Sequence, residues 1–173
     1  MPTDLPTDPH AEPGPWREGM PHLLWRAQQA AQRRLQESLE DLGVTTTQLA
    51  LAANIQDYGP LSAADLARAL RLTPQSVTTA MNQLVEHGWL TRRPHPVHKR
   101  VVLFDLTPES AESLREGRLR AAELGDRMSR ALAGDDTGAF LGQLRRIRDE
   151  LEGDDPPVAP LWPERVDAQN RRT

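Results

Sequence analysis

Apolar residues recur at three- and four-residue spacings in several segments of the chain, and this period is typical of amphipathic helices. The first such segment covers residues 21–41 and stops before Gly43, a residue that favours a helix C-terminus. Further on, hydroxyl side chains followed by an amide, a carboxylate or a proline predict four more helix starts, because such residues cap free backbone amides. These starts are Thr45 (with Gln48), Ser62 (with Asp65), Thr73 (with Pro74) and Thr107 (with Pro108).

After Gly88 the apolar period changes to two, which predicts strands. Residues 89–93 and 100–106 form two short β-prone runs, and the proline-containing stretch between them predicts a hairpin tip. The residues expected to share one face of the second run are Val102, Phe104 and Leu106. A last helix is predicted over residues 137–152. The pattern therefore predicts a mainly α fold with about six helices and a small β-wing.

Composition supports this fold class and excludes several kinds of site. Aromatic residues make up only 4% of the chain, so the core must consist mainly of aliphatic side chains, as in helical proteins. The chain has no cysteine, which excludes disulfides and thiolate metal sites. No apolar run approaches the roughly 18 residues of a membrane span, and we expect a cytoplasmic location. We predict one domain over residues 21–152, between a disordered proline-rich leader (1–20) and an acidic, proline-containing tail (153–173).

Charge is distributed unevenly along the chain. The net charge is −4, which by itself disfavours nucleic acid as a partner, because phosphates must be neutralised by cations. Residues 60–106, however, contain six basic and three acidic side chains, a net charge of +3, whereas the rest of the chain carries −7. The positive charge is thus concentrated in a short helix, the helix after it and the hairpin that follows. This order is that of a winged helix-turn-helix.

The helix that begins at Thr73 has two unlike faces. Val77, Met81 and Leu84 are expected to point inward. The outward face carries six uncharged polar side chains, whereas an ordinary solvated face more often carries Lys, Glu or Arg. In a helix-turn-helix the second helix lies in the major groove, where Gln and Asn can pair with adenine. The candidate DNA contacts are Ser62, Arg71, Thr73, Gln75, Ser76, Thr78, Thr79, Asn82, Gln83, Arg92, Arg93, His98, Lys99 and Arg100.

Several stretches together resemble the MarR (multiple antibiotic resistance regulator) family. The stretches that carry the resemblance are residues 59–70, 72–84, 88–94 and 99–107, together with the opening Thr45-x-x-Gln48. The resemblance covers about residues 20–152. It implies a triangular homodimer held by the first and last helices (about 21–41 and 107–152), and a winged helix-turn-helix lobe (about 45–107) in each copy. It also implies double-stranded DNA as partner and, in many members, control by a small molecule.

The chain departs from the family pattern at the wing and on the recognition helix. His98 stands where the family's wing usually has an aspartate, and many members carry arginine where this chain has Thr79 and Gln83. The helix that begins at Thr73, the recognition helix of the helix-turn-helix, has no basic residue, so we expect the affinity for DNA to come mainly from the wing. Arg100 is the strongest single candidate, because an arginine at a wing base can enter a narrow minor groove. The alternative is that Arg100 forms a surface salt bridge to Asp105 or Glu86.

Other candidate sites have weaker support. His95 and His98 are three residues apart, but two imidazoles do not fill a tetrahedral zinc site, so we interpret them as wing residues near phosphate. No metal or cofactor is expected, and no enzyme signature is present. A ligand crevice between the dimer helices and the DNA lobe would be lined by Trp25, Leu51, Asn54 and Tyr58, although core packing explains each of these residues as well.

The last predicted helix presents a narrow apolar seam. The seam residues are Phe140, Leu144, Ile147 and Leu151, and Leu24 is the corresponding candidate on the first helix. The seam is either core of one subunit or a dimer interface, and we favour the interface because few neighbouring helices are available to cover it. Two functional hypotheses follow. The first is a homodimeric repressor of a pseudo-palindromic operator, released by a small molecule; the second is a winged helix that binds a protein, with its wing against an acidic partner.

Overall fold

Local capping signals set most of the element boundaries in the computed structural model, which describes residues 19–132 and 136–152. The predicted tail lies outside the described residues, and so does the predicted leader apart from its last two residues. The helices are α1 (Met20–Ser38), α2 (Thr46–Tyr58), α3 (Ala63–Ala69), α4 (Pro74–Glu86), α5 (Ser110–Ala131) and α6 (Thr137–Glu152). The strands are β1 (Leu61–Ser62), β2 (Leu90–Pro94) and β3 (Val102–Leu106), and a short 3-10 helix covers Glu40–Leu42.

Three of the predicted caps are present as hydrogen bonds. Thr45 Oγ1 accepts from the backbone N–H of Gln48, and the Thr45 N–H donates to Gln48 Oε1, which completes the capping box of α2. Ser62 and Asp65 form the same reciprocal pair at the start of α3. Thr73 Oγ1 caps α4 by accepting from the N–H of Ser76, with Pro74 at the first helical position.

The sheet has three antiparallel strands in the order β1-β3-β2. Leu90 pairs with Leu106 and Pro94 with Val102, so β2 and β3 form the predicted hairpin. The two-residue strand β1 pairs with the other edge of β3, with Ser62 opposite Leu103. We did not predict β1, because two residues are too few to show a period. It attaches the start of α3 to the wing.

The core of the lobe forms around α2, whose residues 48–55 are all buried. The inward residues predicted for α4, Val77, Met81 and Leu84, are fully buried. Leu114 of α5 reaches the same apolar cluster. The mainly α winged-helix fold predicted from the sequence is thereby confirmed, whereas the predicted dimer concerns a second copy and stays a prediction.

Some predicted boundaries were wrong. Helix α1 ends at Ser38 rather than near residue 41, because the chain tightens into the 3-10 helix before Gly43 adopts a left-handed φ of 66°. Helix α5 begins at Ser110 rather than at Thr107. Thr107 still accepts from the Ser110 N–H, but its hydroxyl donates to the carbonyl of Gly88, and this bond holds it at the end of the sheet.

The predicted apolar face of β3 is only partly buried. Phe104 is buried and Leu106 is half-buried, but Val102 at the wing end is 45% exposed. Leu103, expected on the opposite face, is buried instead. Period two therefore identified the strand but did not predict which of its residues the lobe covers.

Two arginines of α5 attach it to α2 and to the end of α1. Arg118 donates to Asp57 Oδ2 at 2.7 Å and to the carbonyl of Ala53 at 3.0 Å, which links α5 to α2. Arg120 pairs with Asp41 and also donates to the carbonyl of Ser38, which links α5 to the end of α1. The hydrogen bond from Arg120 holds the pKa of Asp41 below its usual value. Within the two described ranges, no helix is both long and apolar enough to cross a bilayer.

Candidate nucleic-acid interface

Helices α3 and α4 form a helix-turn-helix whose turn is a Schellman motif. The N–H of Leu72 donates to the carbonyl of Ala67 at 3.0 Å, and the N–H of Arg71 donates to the carbonyl of Arg68 at 3.3 Å. Arg71 occupies the left-handed position of this motif with a φ of 49°, where glycine is the usual residue. A side chain with a Cβ costs roughly 1 kcal/mol in this conformation.

Helix α4 ends in the same motif, with glycine in the left-handed position. The N–H of Trp89 donates to the carbonyl of Leu84 at 2.8 Å, and that of Gly88 donates to the carbonyl of Val85 at 3.1 Å. Gly88 has a φ of 76°. This sharp end directs the chain straight from α4 into β2, so the hairpin starts beside the recognition helix.

The outward residues predicted for α4 fall into two groups. The residues of the first two turns, Gln75, Ser76, Thr78 and Thr79, are exposed, as is the cap residue Thr73. Thr78 donates its hydroxyl to the carbonyl of Pro74 at 2.8 Å, and the hydroxyls of Thr73 and Ser76 lie 2.7 Å apart. These side chains form an uncharged hydroxyl and amide surface at the positive end of the helix.

The residues of the last turns, Asn82 and Gln83, contact other parts of the lobe. Asn82 is half-buried, and its Oδ1 accepts from Arg92 Nη2 of β2 at 2.7 Å. Gln83 is exposed, but its Oε1 accepts from the buried Gln48 Nε2 of α2 at 2.9 Å. Neither contact was predicted from the sequence, because the partners lie 10 and 35 residues apart.

His95 stabilises the tip of the wing. Its Nδ1 accepts from the backbone N–H groups of Val97 at 3.1 Å and His98 at 3.0 Å, and the backbone N–H of His95 donates to the carbonyl of Val101. The His98 ring lies against that of His95, with centroids 5.0 Å apart. The tip therefore has an internal cap of its own, in a wing that lacks the family's usual aspartate at residue 98.

The basic residues of the wing differ in their partners. Arg92 contacts Asn82, and Arg93 lies 3.9 Å from Asp105, a weak pair because both side chains are well exposed. Lys99 and Arg100 are exposed beside the wing tip. Among the described residues, no salt bridge joins the Arg100 guanidinium to Asp105 or Glu86, and the carboxylate of Asp105 lies nearest to Arg93 in β2.

Ser62 and Arg68 have structural partners within α3. Ser62 is only 7% exposed, and its hydroxyl donates to Asp65 Oδ2 at 2.6 Å. Arg68 pairs with the same carboxylate at the surface. The structure thus uses the Ser62 side chain as a cap, which leaves little of it accessible to DNA.

The candidate ligand residues do not form one accessible surface. Leu51 and Asn54 are fully buried in α2, whereas Trp25 and Tyr58 are 54% and 48% exposed. Asn54 donates to the carbonyl of Ala50, but its Oδ1 has no partner among the described residues. The helix face shared by Leu51, Asn54 and Tyr58 therefore runs from the core to the surface.

The candidate dimer residues lie at the surface of the single chain. No residue of α6 is buried, and α6 has no extensive packing with other described elements. In the seam, Phe140 and Leu151 are 39% and 80% exposed, and Leu144 and Ile147 are half-buried. Leu24 of α1 is 37% exposed.

Comparison with known proteins supports the same architecture. Residues 42–101, which span α2 to the wing tip, match the family model described as MarR family. The chain is 27% identical over 126 residues to the multiple antibiotic resistance protein MarR of Salmonella typhimurium, covering 72% of this chain and 88% of that protein. The chain belongs to the MarR family.

Two further comparisons agree with this one. The transcriptional repressor MdtR of Bacillus subtilis is 30% identical over 81 residues, which cover 47% of this chain and 52% of MdtR. A crystal structure of mutant MarR from E. coli in complex with operator DNA superposes with a TM-score of 0.68, at 24% identity, over 76% of this chain and 96% of that one. The chain is thus a MarR-family regulator with the winged-helix fold of its relatives.

Proposed function

We propose that this MarR-family regulator is a homodimeric repressor that binds a pseudo-palindromic DNA site through α4 and the wing. One observation carries the proposal: the hydrogen bond between Arg92 and Asn82 holds the basic wing beside the uncharged polar face of α4. A major groove about 12 Å wide admits one helix, and the wing beside it then meets the phosphate backbone or the adjacent minor groove.

In this arrangement the two parts of the surface have different roles. The exposed residues at the start of α4 (Thr73, Gln75, Ser76, Thr78 and Thr79) face base edges and the nearest phosphate. Arg71 and the wing residues Arg92, Arg93, His98 and Lys99 contact phosphates, while Arg100, which has no carboxylate partner among the described residues, is the candidate for the minor groove.

The homodimer is supported by the exposed apolar surface of α6. A helix with an apolar seam and no buried residue in the single chain leaves that seam in water unless another molecule covers it. A second copy of the chain supplies the same seam, and two-fold symmetry then places two recognition helices on two half-sites.

The names of two relatives point the same way. The B. subtilis relative MdtR is described as a repressor, and E. coli MarR has been crystallised with operator DNA. We extend both properties to this chain as part of the proposal.

Release by a small molecule belongs to the same proposal. It is supported by the exposed aromatic rings of Trp25 and Tyr58, and by the buried Oδ1 of Asn54, which has no partner among the described residues. A ligand that contacts Leu51 and Asn54 must open the α2 face, because both side chains are buried. We expect such a ligand to weaken DNA binding by wild-type protein and to have less effect on an Asn54→Leu variant, measured by fluorescence anisotropy.

The proposal is tested by titrating the protein against the region upstream of its own gene, in a salt series, with anisotropy as readout. We expect salt-sensitive binding, because log K falls by about 0.9 per decade of salt for each phosphate contact. Arg100→Ala should weaken binding about tenfold or more. Arg115→Ala removes an exposed arginine of α5 that pairs with Glu112, and it should leave binding unchanged.

Absence of binding at low salt would overturn the proposal. A stoichiometric protein partner recovered by pulldown would then favour the alternative, in which the wing contacts an acidic protein surface. The uncharged recognition helix is the feature that keeps this alternative open.

A further inference from the structure

Three polar groups in series connect the start of α2 to the recognition helix. The backbone N–H of Thr45 donates to Gln48 Oε1 at 2.8 Å, and Gln48 Nε2 donates to Gln83 Oε1 at 2.9 Å. Gln48 is only 4% exposed, whereas Gln83 lies at the surface on the candidate DNA-binding face. The buried side chain of Gln48 therefore binds one end, Oε1, of the exposed Gln83 amide.

The direction of these hydrogen bonds is fixed by the first donor. The two ends of a glutamine amide are similar in shape, so either end can face a given partner. A backbone N–H can only donate, however, so Gln48 must turn Oε1 towards Thr45. Its Nε2 then faces Gln83, which must turn Oε1 inward, because the opposite orientation would place two donors against each other.

The consequence is that Gln83 presents Nε2 outward. Glutamine reads adenine by accepting from N6 with Oε1 while donating to N7 with Nε2. That pairing needs both ends of the amide to be directed at the base, and in Gln83 the accepting end is turned inward to Gln48. A donor alone suits guanine, which presents two acceptors, N7 and O6, in the major groove.

We propose that Gln48 acts as a positioning residue that makes Gln83 a donor-only reader, so that Gln83 selects guanine over adenine at its position in the DNA site. The inference rests on the proposed DNA binding. It changes the adenine preference expected from the sequence, because that preference assumed a glutamine free at both ends.

The decisive variant is Gln48→Glu. Glutamate has nearly the same shape, and it can still accept from Thr45 in a capping box at the start of a helix. Its second oxygen would face Gln83 as an acceptor, so the Gln83 amide must turn Nε2 inward and Oε1 outward. Gln83 would then accept from the exocyclic amino group of cytosine or adenine, although residue 48 itself never touches DNA.

The test is a selection of binding sites from a random DNA pool with wild type, Gln48→Glu, Gln83→Glu and Gln83→Ala. The Gln83→Ala variant identifies the base pair in question, as the one whose preference it removes. We expect wild type to prefer guanine there by about tenfold over adenine. Both glutamate variants should reverse this preference towards cytosine or adenine, because each places an acceptor at the surface.

The outcomes separate this inference from the proposed function. If wild type selects no DNA, the proposed function fails. If wild type selects a defined site but Gln48→Glu, folded by circular dichroism, keeps the wild-type base preference, the inference is overturned. Gln83→Glu provides a second check that does not alter the core, since its exchanged side chain is exposed. An adenine preference in wild type would also contradict the inference.

Discussion

At the scale of single residues, the packing of α5 on α2 depends on the absence of a side chain at Gly117. A Cβ added there would lie 2.5 Å from Cδ1 and 3.1 Å from Cδ2 of Leu49. Leu49 is fully buried, so its side chain has little room to move away. Glycine within a helix costs about 0.5–1 kcal/mol relative to alanine. The protein therefore gives up helix stability at this position for a closer approach of the two helices.

We predict that Gly117→Ala destabilises the fold by about 1 kcal/mol, because overpacking costs typically 1–3 kcal/mol and helix propensity returns only part of it. Gly125→Ala, two turns along the same helix, is the matched control. Apart from the backbone of α5 itself, no atom of the described residues lies within 4 Å of its added Cβ, so this variant should gain about 0.5–1 kcal/mol. Urea denaturation of both variants checks the opposite signs. Equal stabilisation of both would show that Leu49 adapts freely.

Residue roles could be predicted from the sequence where the partner is local. Thr45, Ser62 and Thr73 cap groups three residues away, and their spacing alone predicted these bonds. Asn82 and Gln83 were predicted to be free for base contacts, but tertiary folding gives each a partner on another element. A sequence shows that such a side chain is polar and outward, but it does not show what stands next to it.

At the scale of elements, the sequence predicted those helices and strands that are long enough to show a repeat of apolar residues, and it missed the one that is not. The six helices and the hairpin were predicted, whereas β1 was missed because its two residues show no alternation. The start of α5 was placed too early because a Thr-Pro pair predicts a cap. The hydroxyl of Thr107 does accept from the first turn of α5, but it also donates to the carbonyl of Gly88, just after α4. Contacts between elements set these boundaries, and capping signals read from neighbouring residues carry no information about such contacts.

The capping box of α3 gives a prediction at this scale. The Ser62 hydroxyl, by donating a hydrogen bond to Asp65, lowers the pKa of that carboxyl from its usual value. The folded-state pKa is below the unfolded one, so the stabilisation is complete above the unfolded pKa, near 4, and is lost as pH falls through the folded pKa. Asp65→Asn should therefore lower the free energy of unfolding at pH 7, and the difference from wild type should shrink below pH 4.

Denaturation at pH 7 and pH 3 measures this difference. Asp126→Asn, an exposed carboxylate of α5, serves as the matched control and should match wild type within about 0.5 kcal/mol at both pH values. A deficit of Asp65→Asn that is the same at both pH values would show that the cap acts through shape and not through charge.

At the scale of the whole molecule, the terminal helices of a single chain leave apolar side chains exposed. The lobe from α2 to the start of α5 encloses the core together with the end of α1, whereas α6 contributes no buried residue. Apolar side chains are also exposed on the first turns of α1, where Leu23 and Trp25 are 57% and 54% exposed. The terminal helices thus carry the surface that the proposed dimer would bury, and the lobe carries the surface that would meet DNA.

We predict that Ile147→Asp abolishes the proposed dimer without unfolding the lobe. Ile147 lies at the centre of the α6 seam, and a carboxylate buried there without a partner costs several kcal/mol. Light scattering should give the dimer mass for wild type and the mass of one chain, 19.3 kDa, for the variant. Arg145→Asp introduces the same side chain on the opposite face of α6 and should stay dimeric.

The same pair of variants tests how the two surfaces depend on each other. In a dimer, binding of the first lobe to its half-site holds the second lobe close to the other half-site, so the second contact is intramolecular. Separating the two lobes removes this gain in affinity. Ile147→Asp should then bind the full site no better than a single half-site, at least a hundredfold more weakly than wild type, on the order of what linkage supplies. Arg145→Asp should keep wild-type affinity. Monomeric Ile147→Asp that still binds the full site at wild-type affinity would show that one lobe carries the recognition alone, and it would remove the functional reason for the seam on α6.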